Sequence, residues 1–152
     1  MTQPAIPRLG ERLRLLREVP LLGQHPTGLA RLAHAATEKA FPTDYTLFKA
    51  GDPGTTLYII VVGQIRIHVE DIDLAELGPG DHLGEMSLFD GQPRSASATT
   101  LVDSVCLVLT QDLVFEALRQ EPDFAVEIIR QLCQRLRRVN ASLYATQVVT
   151  DA

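Results

Sequence analysis

The chain has 152 residues, of which 45% are hydrophobic and 22% are charged, and its formal net charge is −5. This composition is typical of a soluble globular protein and excludes a fibrous or disordered chain. A chain of this length buries enough surface for a core without cross-links, so we expect one domain over residues 1–152. The first ten residues lack the apolar run of a signal peptide, and no segment approaches the ~18 uncharged apolar residues of a membrane span. We therefore expect a cytoplasmic protein with no membrane partner.

Helical patterns occupy the first quarter of the chain. Leucines at helical spacing predict a helix over residues 8–17, with Pro7 at a first-turn position. A second short helix is predicted from Thr27, its expected cap, to about Ala36. We assign residues 1–40 to these N-terminal helices.

Short β-prone runs separated by glycine, proline and aspartate come next, over residues 41–109. Seven of the ten glycines lie between Gly51 and Gly91, where turns between strands are expected. The clearest runs are residues 57–62, 65–69, 72–77 and 104–109. Regular short strands with such turns predict an antiparallel sandwich, a jelly roll or a small barrel.

Helical periodicity then returns, and we assign residues 110–145 to C-terminal helices. Residues 111–119 predict one helix, and Pro122 starts a longer one that runs to about Tyr144. Apolar residues of the long helix recur at spacings of three and four; they are Ala125, Ile129, Leu132, Leu136, Val139 and Leu143. This stripe favours a parallel homodimer, or alternatively it packs on the barrel of its own chain. The predicted fold class is mainly β with flanking α-helices.

The charge is distributed unevenly along the chain. Residues 1–40 carry a net charge of +3, whereas residues 41–121 carry four basic and thirteen acidic side chains and a net charge of −9. A protein that reads nucleic acid needs a basic face. The only basic cluster lies inside the apolar pattern of the long helix, at Arg135, Arg137 and Arg138. We predict that the chain by itself does not bind DNA.

Cysteines and histidines give no sign of a metal or catalytic site. Cys106 and Cys133 lie in separate apolar runs without a CxxC or Cys/His cluster, which predicts buried, inert thiols, no zinc site and no disulfide, in a reducing compartment. The four histidines lack HxH or HExxH spacing; they are His25, His34, His68 and His82. We expect solvated or locally hydrogen-bonded histidines, and neither an enzyme nor a metal-binding protein.

Residues 78–100 carry the pattern that points to a ligand. Arg94 lies in a loop of small residues, Gly84 allows the backbone to approach a ligand, and Ser95 supplies a hydroxyl group. Residues 86–89 are predicted to form one helical turn whose free N–H groups face an anion. This combination of donors suits a phosphate group.

Glu85 lies at the start of the same turn. A carboxylate beside a phosphate site is repulsive unless it has another task, such as accepting a hydrogen bond from a neighbouring sugar hydroxyl. Glu85 and Arg94 together therefore predict a sugar phosphate as ligand. The alternative is a structural ion pair between these two residues on a surface loop.

These residues resemble the phosphate-binding cassette of the cyclic nucleotide-binding domain family, whose members include catabolite activators, kinase regulatory subunits and gated channels. The resemblance lies in Gly84-Glu85-Met86-Ser87-Leu88, followed after a short loop by Pro93-Arg94-Ser95-Ala96. Upstream, Gly51-Asp52 with Tyr58 and Gly63, and then residues 77–81, resemble the hairpin signatures of that family. The resemblance covers nearly the whole chain.

The resemblance implies an eight-stranded jelly-roll pocket covered by residues 84–97, which we call the cassette. Arg94 and Ser95 would hold the cyclic phosphate, Glu85 would accept the ribose 2′-hydroxyl, and Gly84 would let the backbone come close. Further phosphate donors would be the backbone N–H groups of Met86, Ser87 and Ala96.

The sequence departs from the family pattern in two places. Leu83 stands where the family often has an aromatic residue, a change that should alter packing more than ligand chemistry. Val139 stands in the long helix where catabolite activators often place a threonine for the purine. Candidates for base contact in this helix are then Arg135 and Asn140.

The sequence thus predicts a non-enzymatic receptor for a cyclic nucleotide, cAMP rather than cGMP, with no other cofactor. Binding would move the last helices and so regulate a dimer or a protein effector. One alternative is an interaction or dimerisation module of the same fold that binds no nucleotide. Another is a regulatory fragment of a larger transducer, since the eight residues after Tyr144 are too few for a helix-turn-helix domain.

Overall fold

The computed structural model describes residues 8–151, with side chains described for residues 8–146. Two α-helices precede the β-region: α1 (Leu9–Arg17) and α2 (Pro26–Ala35), joined through a 3₁₀ turn at Pro20–Leu22. Both predicted helices are therefore confirmed, while Pro7 lies outside the described residues. Thr27 is not the cap of α2, because the Gly28 N–H donates to His25 Nδ1 at 3.0 Å instead.

Eight strands follow, and they pair into two antiparallel sheets of four. Their bounds are β1 (Thr37–Phe41), β2 (Thr46–Phe48), β3 (Thr56–Val62), β4 (Ile65–Val69), β5 (Ile72–Leu77), β6 (His82–Leu83), β7 (Ser97–Thr100) and β8 (Ser104–Thr110). The sheet orders are β1-β8-β3-β6 and β2-β7-β4-β5. This order is that of a jelly roll and confirms the predicted fold class. Of the three predicted arrangements, a sandwich, a jelly roll or a small barrel, the structure therefore has the jelly roll.

Alternating side chains of β3 divide the core into two clusters. Leu57 and Ile59 face the helices on the outside of one sheet, whereas Ile60 points into the barrel beside Cys106. Tyr58 is partly buried in the barrel, where its ring centre lies 6.1 Å from that of Phe48. Tyr58 therefore contributes to the packing of the barrel core.

The β-region begins earlier than the sequence predicted. Strand β1 starts at Thr37 and pairs with β8 in continuous register, so the boundary at residue 41 is wrong by four residues. Most of β1 is exposed because it lies at the edge of its sheet and carries polar residues. A strand whose side chains lack apolar alternation gives little sequence signal.

Two helices complete the chain, α4 (Gln111–Gln120) and α5 (Pro122–Asp151). Helix α5 begins at the predicted proline but continues past Tyr144. Phe124 and Ile128 are buried against the N-terminal helical layer and anchor its first turns. In the part of the chain that the structure describes, no helix is long and apolar enough to cross a membrane.

Beyond its anchor, α5 leaves the apolar stripe in contact with solvent. The exposed fractions are 57% for Ile129, 62% for Leu136, 49% for Val139 and 64% for Leu143. The alternative in which this stripe packs on its own barrel is therefore wrong for these four residues. Cys133 is also exposed, which corrects the prediction of a buried thiol there, whereas Cys106 is buried as predicted.

Candidate functional site

Helix α3 (Glu85–Asp90) starts from a glycine that the close packing requires. Gly84 has φ +93°, and a Cβ there would lie 2.5 Å from both Arg94 Nη1 and the Thr56 carbonyl oxygen. The Leu88 N–H donates back to the Gly84 carbonyl oxygen at 3.2 Å. The preceding N–H groups of the first turn, including those of Met86 and Ser87, face outward from the helix end without a helical partner. The predicted helical turn is thus confirmed as part of α3.

The loop after α3 is fixed to the β2–β3 connection by paired backbone hydrogen bonds. The Gly51 N–H donates to the Arg94 carbonyl oxygen at 2.7 Å, and the Arg94 N–H donates to the Asp52 carbonyl oxygen at 2.9 Å. In addition, the Ala50 N–H donates to Ser97 Oγ at 2.9 Å. These bonds explain the role of the Gly51-Asp52 motif, which sets the position of the Arg94 backbone.

The side chain of Arg94 is buried and incompletely paired. It is 6% exposed, its Nη2 donates to the Thr56 carbonyl oxygen at 2.9 Å, and its Cζ lies 4.3 Å from the centre of the Phe48 ring. A Cβ at residue 54 would lie 2.5 Å from Arg94 Nε, so Gly54 makes room for the guanidinium. Burial lowers the pKa of Arg94, and the nearby Tyr58 hydroxyl opposes this shift.

Two donors of this guanidinium have no partner. Arg94 Nε and Nη1 are buried and make no hydrogen bond within the described residues. A buried polar group left unpaired costs about 1–3 kcal/mol, and more when it is charged. The guanidinium is therefore placed to receive an anion, whose oxygens would accept from the remaining donors.

A cavity of about 280 Å³ lies beside Arg94, near the lower end of the range of small-molecule sites. Seven of the nine predicted site residues line this cavity: Gly84, Glu85, Met86, Ser87, Arg94, Ser95 and Ala96. Its apolar wall is formed by Phe48, Ile67, Leu77 and Leu83. The cavity therefore combines an anion site with a surface suited to the non-polar part of a ligand. Leu83 is almost fully buried in this wall.

Glu85 contacts basic side chains from two other elements rather than Arg94. Its Oε1 lies 3.5 Å from His82 Nε2 on β6 and 3.6 Å from Arg135 Nη2 on α5. The alternative of a structural Glu85–Arg94 ion pair is therefore wrong. Burial alone would raise the pKa of Glu85, but the hydrogen bond and charge of His82, a backbone hydrogen bond and the charge of Arg135 together lower it.

The two candidates for base contact are placed differently. Arg135 reaches the cassette, where it contacts Glu85 and its Nη1 donates to Met86 Sδ at 3.2 Å. Asn140 is exposed and is not among the residues that line the cavity. The structure therefore brings Arg135 to the candidate site and leaves Asn140 outside it.

Several residues of the site were missed by sequence reasoning. Phe48 and Gly54 enclose Arg94 although they are distant from it in sequence, and no local pattern indicates this. His82 lies 3.5 Å from Glu85, three residues further along the chain, which agrees with the expectation of a solvated or locally hydrogen-bonded histidine, but its place in the lining of the cavity was not predicted. The spacing of three residues between His82 and Glu85 was the available signal, since it suits a side-chain pair across a turn.

No metal centre accompanies this cavity in the described part of the chain. Across the residues whose placement is described, no group of three or more His, Cys, Asp or Glu side chains comes close enough to hold a metal ion. The candidate site is built from the Arg94 guanidinium, the Glu85 carboxylate, the His82 imidazole, small polar residues of the cassette and an apolar wall.

A jelly roll with a buried, incompletely paired arginine beside a cavity is suited to a small anionic ligand. The family model described as "Cyclic nucleotide-binding domain" matches residues 38–121. The chain belongs to the cyclic nucleotide-binding domain family. Its relatives include the CRP-like cAMP-activated global transcriptional regulator of Mycobacterium tuberculosis, which is 34% identical over 134 residues.

That alignment covers 85% of this chain and 59% of the relative. The cyclic AMP receptor protein of Thermus thermophilus is 34% identical over 110 residues, which cover 69% of this chain and 51% of that protein. This chain thus spans about half to three fifths of the length of these relatives. Among solved structures, the N-terminal domain of a transcriptional regulator from Streptomyces coelicolor A3(2) matches with TM-score 0.77 and 32% identity, covering 84% of this chain and 93% of that chain.

Proposed function

We propose that this chain is a non-enzymatic receptor domain that binds a 3′,5′-cyclic nucleotide in the cavity beneath the cassette. The observation that carries the proposal is the buried Arg94 guanidinium, whose Nε and Nη1 have no partner in the described residues. A cyclic phosphate carries one negative charge and two exocyclic oxygens, which suits a cation with two remaining donors. The nucleotide is the ligand, and no further cofactor is proposed.

In this proposal each predicted site residue has a separate task. Arg94 and the Ser95 hydroxyl hold the phosphate together with the backbone N–H groups of Met86, Ser87 and Ala96. Gly84 permits the close approach of the backbone, and Glu85 accepts the ribose 2′-hydroxyl. The apolar wall of the cavity supplies the remaining contact area. Within α5, Arg135 is the residue that we propose contacts the ligand.

We propose cAMP as the preferred nucleotide and cGMP as the weaker one. Support comes from relatives whose names specify cAMP, including the regulators of Mycobacterium tuberculosis and Thermus thermophilus. Isothermal titration of the chain with both nucleotides tests the preference. Tighter binding of cAMP supports it, whereas equal affinities or tighter binding of cGMP contradict it.

The output of the receptor would pass through α5. Glu85 forms part of the proposed ribose site and also pairs with Arg135 of α5. A ligand that binds Glu85 would therefore change the contact that holds α5 against the cassette. A ligand can shift such an equilibrium only through its different affinity for the two arrangements. We propose that this shift regulates a homodimer formed through the exposed stripe of α5, and through it a protein effector.

An interaction module that binds no nucleotide is the rival function. In that function no ligand would pair with the buried Arg94 donors, and unpaired buried donors lower the stability of the folded state. Thermal unfolding with and without cAMP separates the two functions. A ligand present at ~100 times its dissociation constant stabilises the folded state by about 2.7 kcal/mol, so an unchanged midpoint at millimolar cAMP and cGMP would favour the rival.

Two further predictions concern the surroundings of the domain. The net charge of −9 on residues 41–121 argues against DNA binding by this chain itself. Two free cysteines without a disulfide suit a reducing, cytoplasmic compartment. If the chain works as the regulatory fragment of a longer transducer, any DNA contact would come from the rest of that protein.

A further inference from the structure

His82 is the ionisable residue of the cavity to which the proposed function gives no task. Its Nε2 lies 3.5 Å from Glu85 Oε1, and the two side chains are 20% and 17% exposed. The contacts of Glu85 with His82 and with Arg135 both end on the same oxygen, Oε1. Neither of these two contacts uses the second oxygen, Oε2, which is the oxygen proposed to accept the ligand hydroxyl.

The two basic residues that hold Glu85, Arg135 and His82, lie on different parts of the fold. Arg135 belongs to α5, which is exposed over most of its length beyond Ile128. His82 belongs to β6, which pairs with the central strand β3 through its register partner Ile59. A backbone bond from the Ile60 N–H to the Asp81 carbonyl oxygen at 2.9 Å fixes the same turn. His82 is therefore fixed to the barrel by strand pairing, whereas Arg135 belongs to the helix whose position the proposed function changes.

We propose that His82 is a positioning residue, which holds the Glu85 carboxylate in the orientation that accepts the ribose 2′-hydroxyl even when α5 and Arg135 move away. This inference rests on the proposed function and assigns a specificity role to a residue outside the resemblance to the family. A carboxylate held on one side by Arg135 alone would lose its orientation when the helix shifts. A second donor on the barrel prevents this loss.

The charged groups around His82 are compatible with such a role. Glu85 from α3 is its direct partner, Arg135 from α5 shares that partner, and Arg94 lies across the same cavity. Asp81 precedes His82, but its Oδ2 accepts from the Gly78 N–H at 2.8 Å. The imidazole therefore has one anionic partner within its cavity, and that partner is the proposed ribose acceptor.

The test measures the ratio of affinities for cAMP and 2′-deoxy-cAMP by isothermal titration. Wild type should prefer cAMP about tenfold, which is the range of one well-oriented hydrogen bond to a charged group. His82→Leu should reduce this preference to about twofold or less while binding of 2′-deoxy-cAMP stays within about twofold of wild type. His82→Gln, which keeps an N–H donor near the position of Nε2, should restore most of the preference.

Two controls make the inference decisive. His34→Leu replaces an exposed histidine of α2 and should leave the ratio unchanged. In a Glu85→Ala background, His82→Leu should cause no further change in the ratio, because His82 acts through Glu85. Equal losses of affinity for both nucleotides in His82→Leu and His82→Gln would overturn the positioning role and leave the proposed function standing. Failure of wild type to bind either nucleotide would instead overturn the proposed function itself.

Discussion

The guanidinium of Arg135 lies 3.6 Å from the carboxylate of Glu85 and so joins the middle of α5 to the first residue of α3. Both side chains are largely removed from solvent, at 33% and 17% exposure. Glu85 is also the proposed acceptor for the ribose hydroxyl. In the proposed function, the position of α5 and the occupancy of the cavity therefore depend on the same carboxylate, through which the cavity would influence a surface outside the barrel.

Arg94→Ala should weaken binding of cAMP by roughly ten- to hundredfold, or about 1.5 to 3 kcal/mol. The reason is that the substitution removes the buried cation whose unpaired donors face the proposed phosphate position. Isothermal titration of the folded variant measures the loss. Arg66→Ala is the matched control, because Arg66 on β4 pairs with Asp73 on the neighbouring strand β5 at 2.6 Å and does not line the cavity. An Arg94→Ala variant that binds cAMP as tightly as wild type contradicts the phosphate site.

Glu85→Ala should change selectivity more than affinity. Removal of an anion near the phosphate partly offsets the lost bond to the ribose, so the loss for cAMP should be smaller than with Arg94→Ala. The variant should bind cAMP and 2′-deoxy-cAMP nearly alike, whereas wild type prefers cAMP. Glu76→Ala, on β5 and outside the lining of the cavity, serves as the control. A preserved preference in Glu85→Ala means that another residue reads the hydroxyl.

Leu136→Glu should dissociate a dimer formed through α5 while the barrel stays folded. Leu136 is 62% exposed within the single chain, so the charge would not be buried inside the barrel and would act at the interface alone. Sedimentation velocity of wild type and variant measures the assembly. Gln134→Glu introduces the same charge at an exposed position outside the apolar stripe and should leave the dimer intact. A monomeric wild type removes the proposal of a dimer.

The two thiols should differ in reactivity by orders of magnitude. Burial raises the pKa of the Cys106 thiol to about 12, so its thiolate is scarce at pH 8. Cys133 is exposed on α5. Native protein treated with dithiobis-nitrobenzoate at pH 8 should therefore release one equivalent quickly and the second only in denaturant. Cys133→Ser should abolish the fast equivalent, and two fast equivalents in the native protein contradict the burial of Cys106.

The chain by itself should not bind duplex DNA at physiological salt, with or without cAMP. Non-specific affinity requires several Lys or Arg contacts with phosphates and weakens steeply as salt rises. Of the four basic side chains in α5, Arg130 lies 3.8 Å from Glu127 and Arg135 pairs with Glu85, which leaves Arg137 and Arg138 exposed on this segment. Fluorescence anisotropy with labelled duplex tests this. Micromolar or tighter binding would contradict it and direct attention to Arg8, Arg14 and Arg17 at the N-terminal helix.

Local sequence patterns predicted those parts of the site that lie close together along the chain. The cassette is nearly continuous in sequence. Its glycines predict a tight turn, and its arginine and carboxylate together predict a sugar phosphate as ligand. Helix α5 was predicted from Pro122 and its apolar repeat, although its end was placed too early. Strands such as β1 and β6 were not predicted, because they are short or polar and gain their stability from pairing with β8 and β3.

The sequence by itself therefore determined the fold class and the cassette, since strand alternation, helical periodicity and turn glycines act over a few neighbouring residues. Only the tertiary structure decided which distant residues complete the site. Phe48 and Gly54 enclose Arg94 from another part of the chain, and His82 and Arg135 reach Glu85 from a strand and a helix. The physical reason is that burial and pairing of charged groups depend on how sheets and helices pack, which local periodicity does not encode.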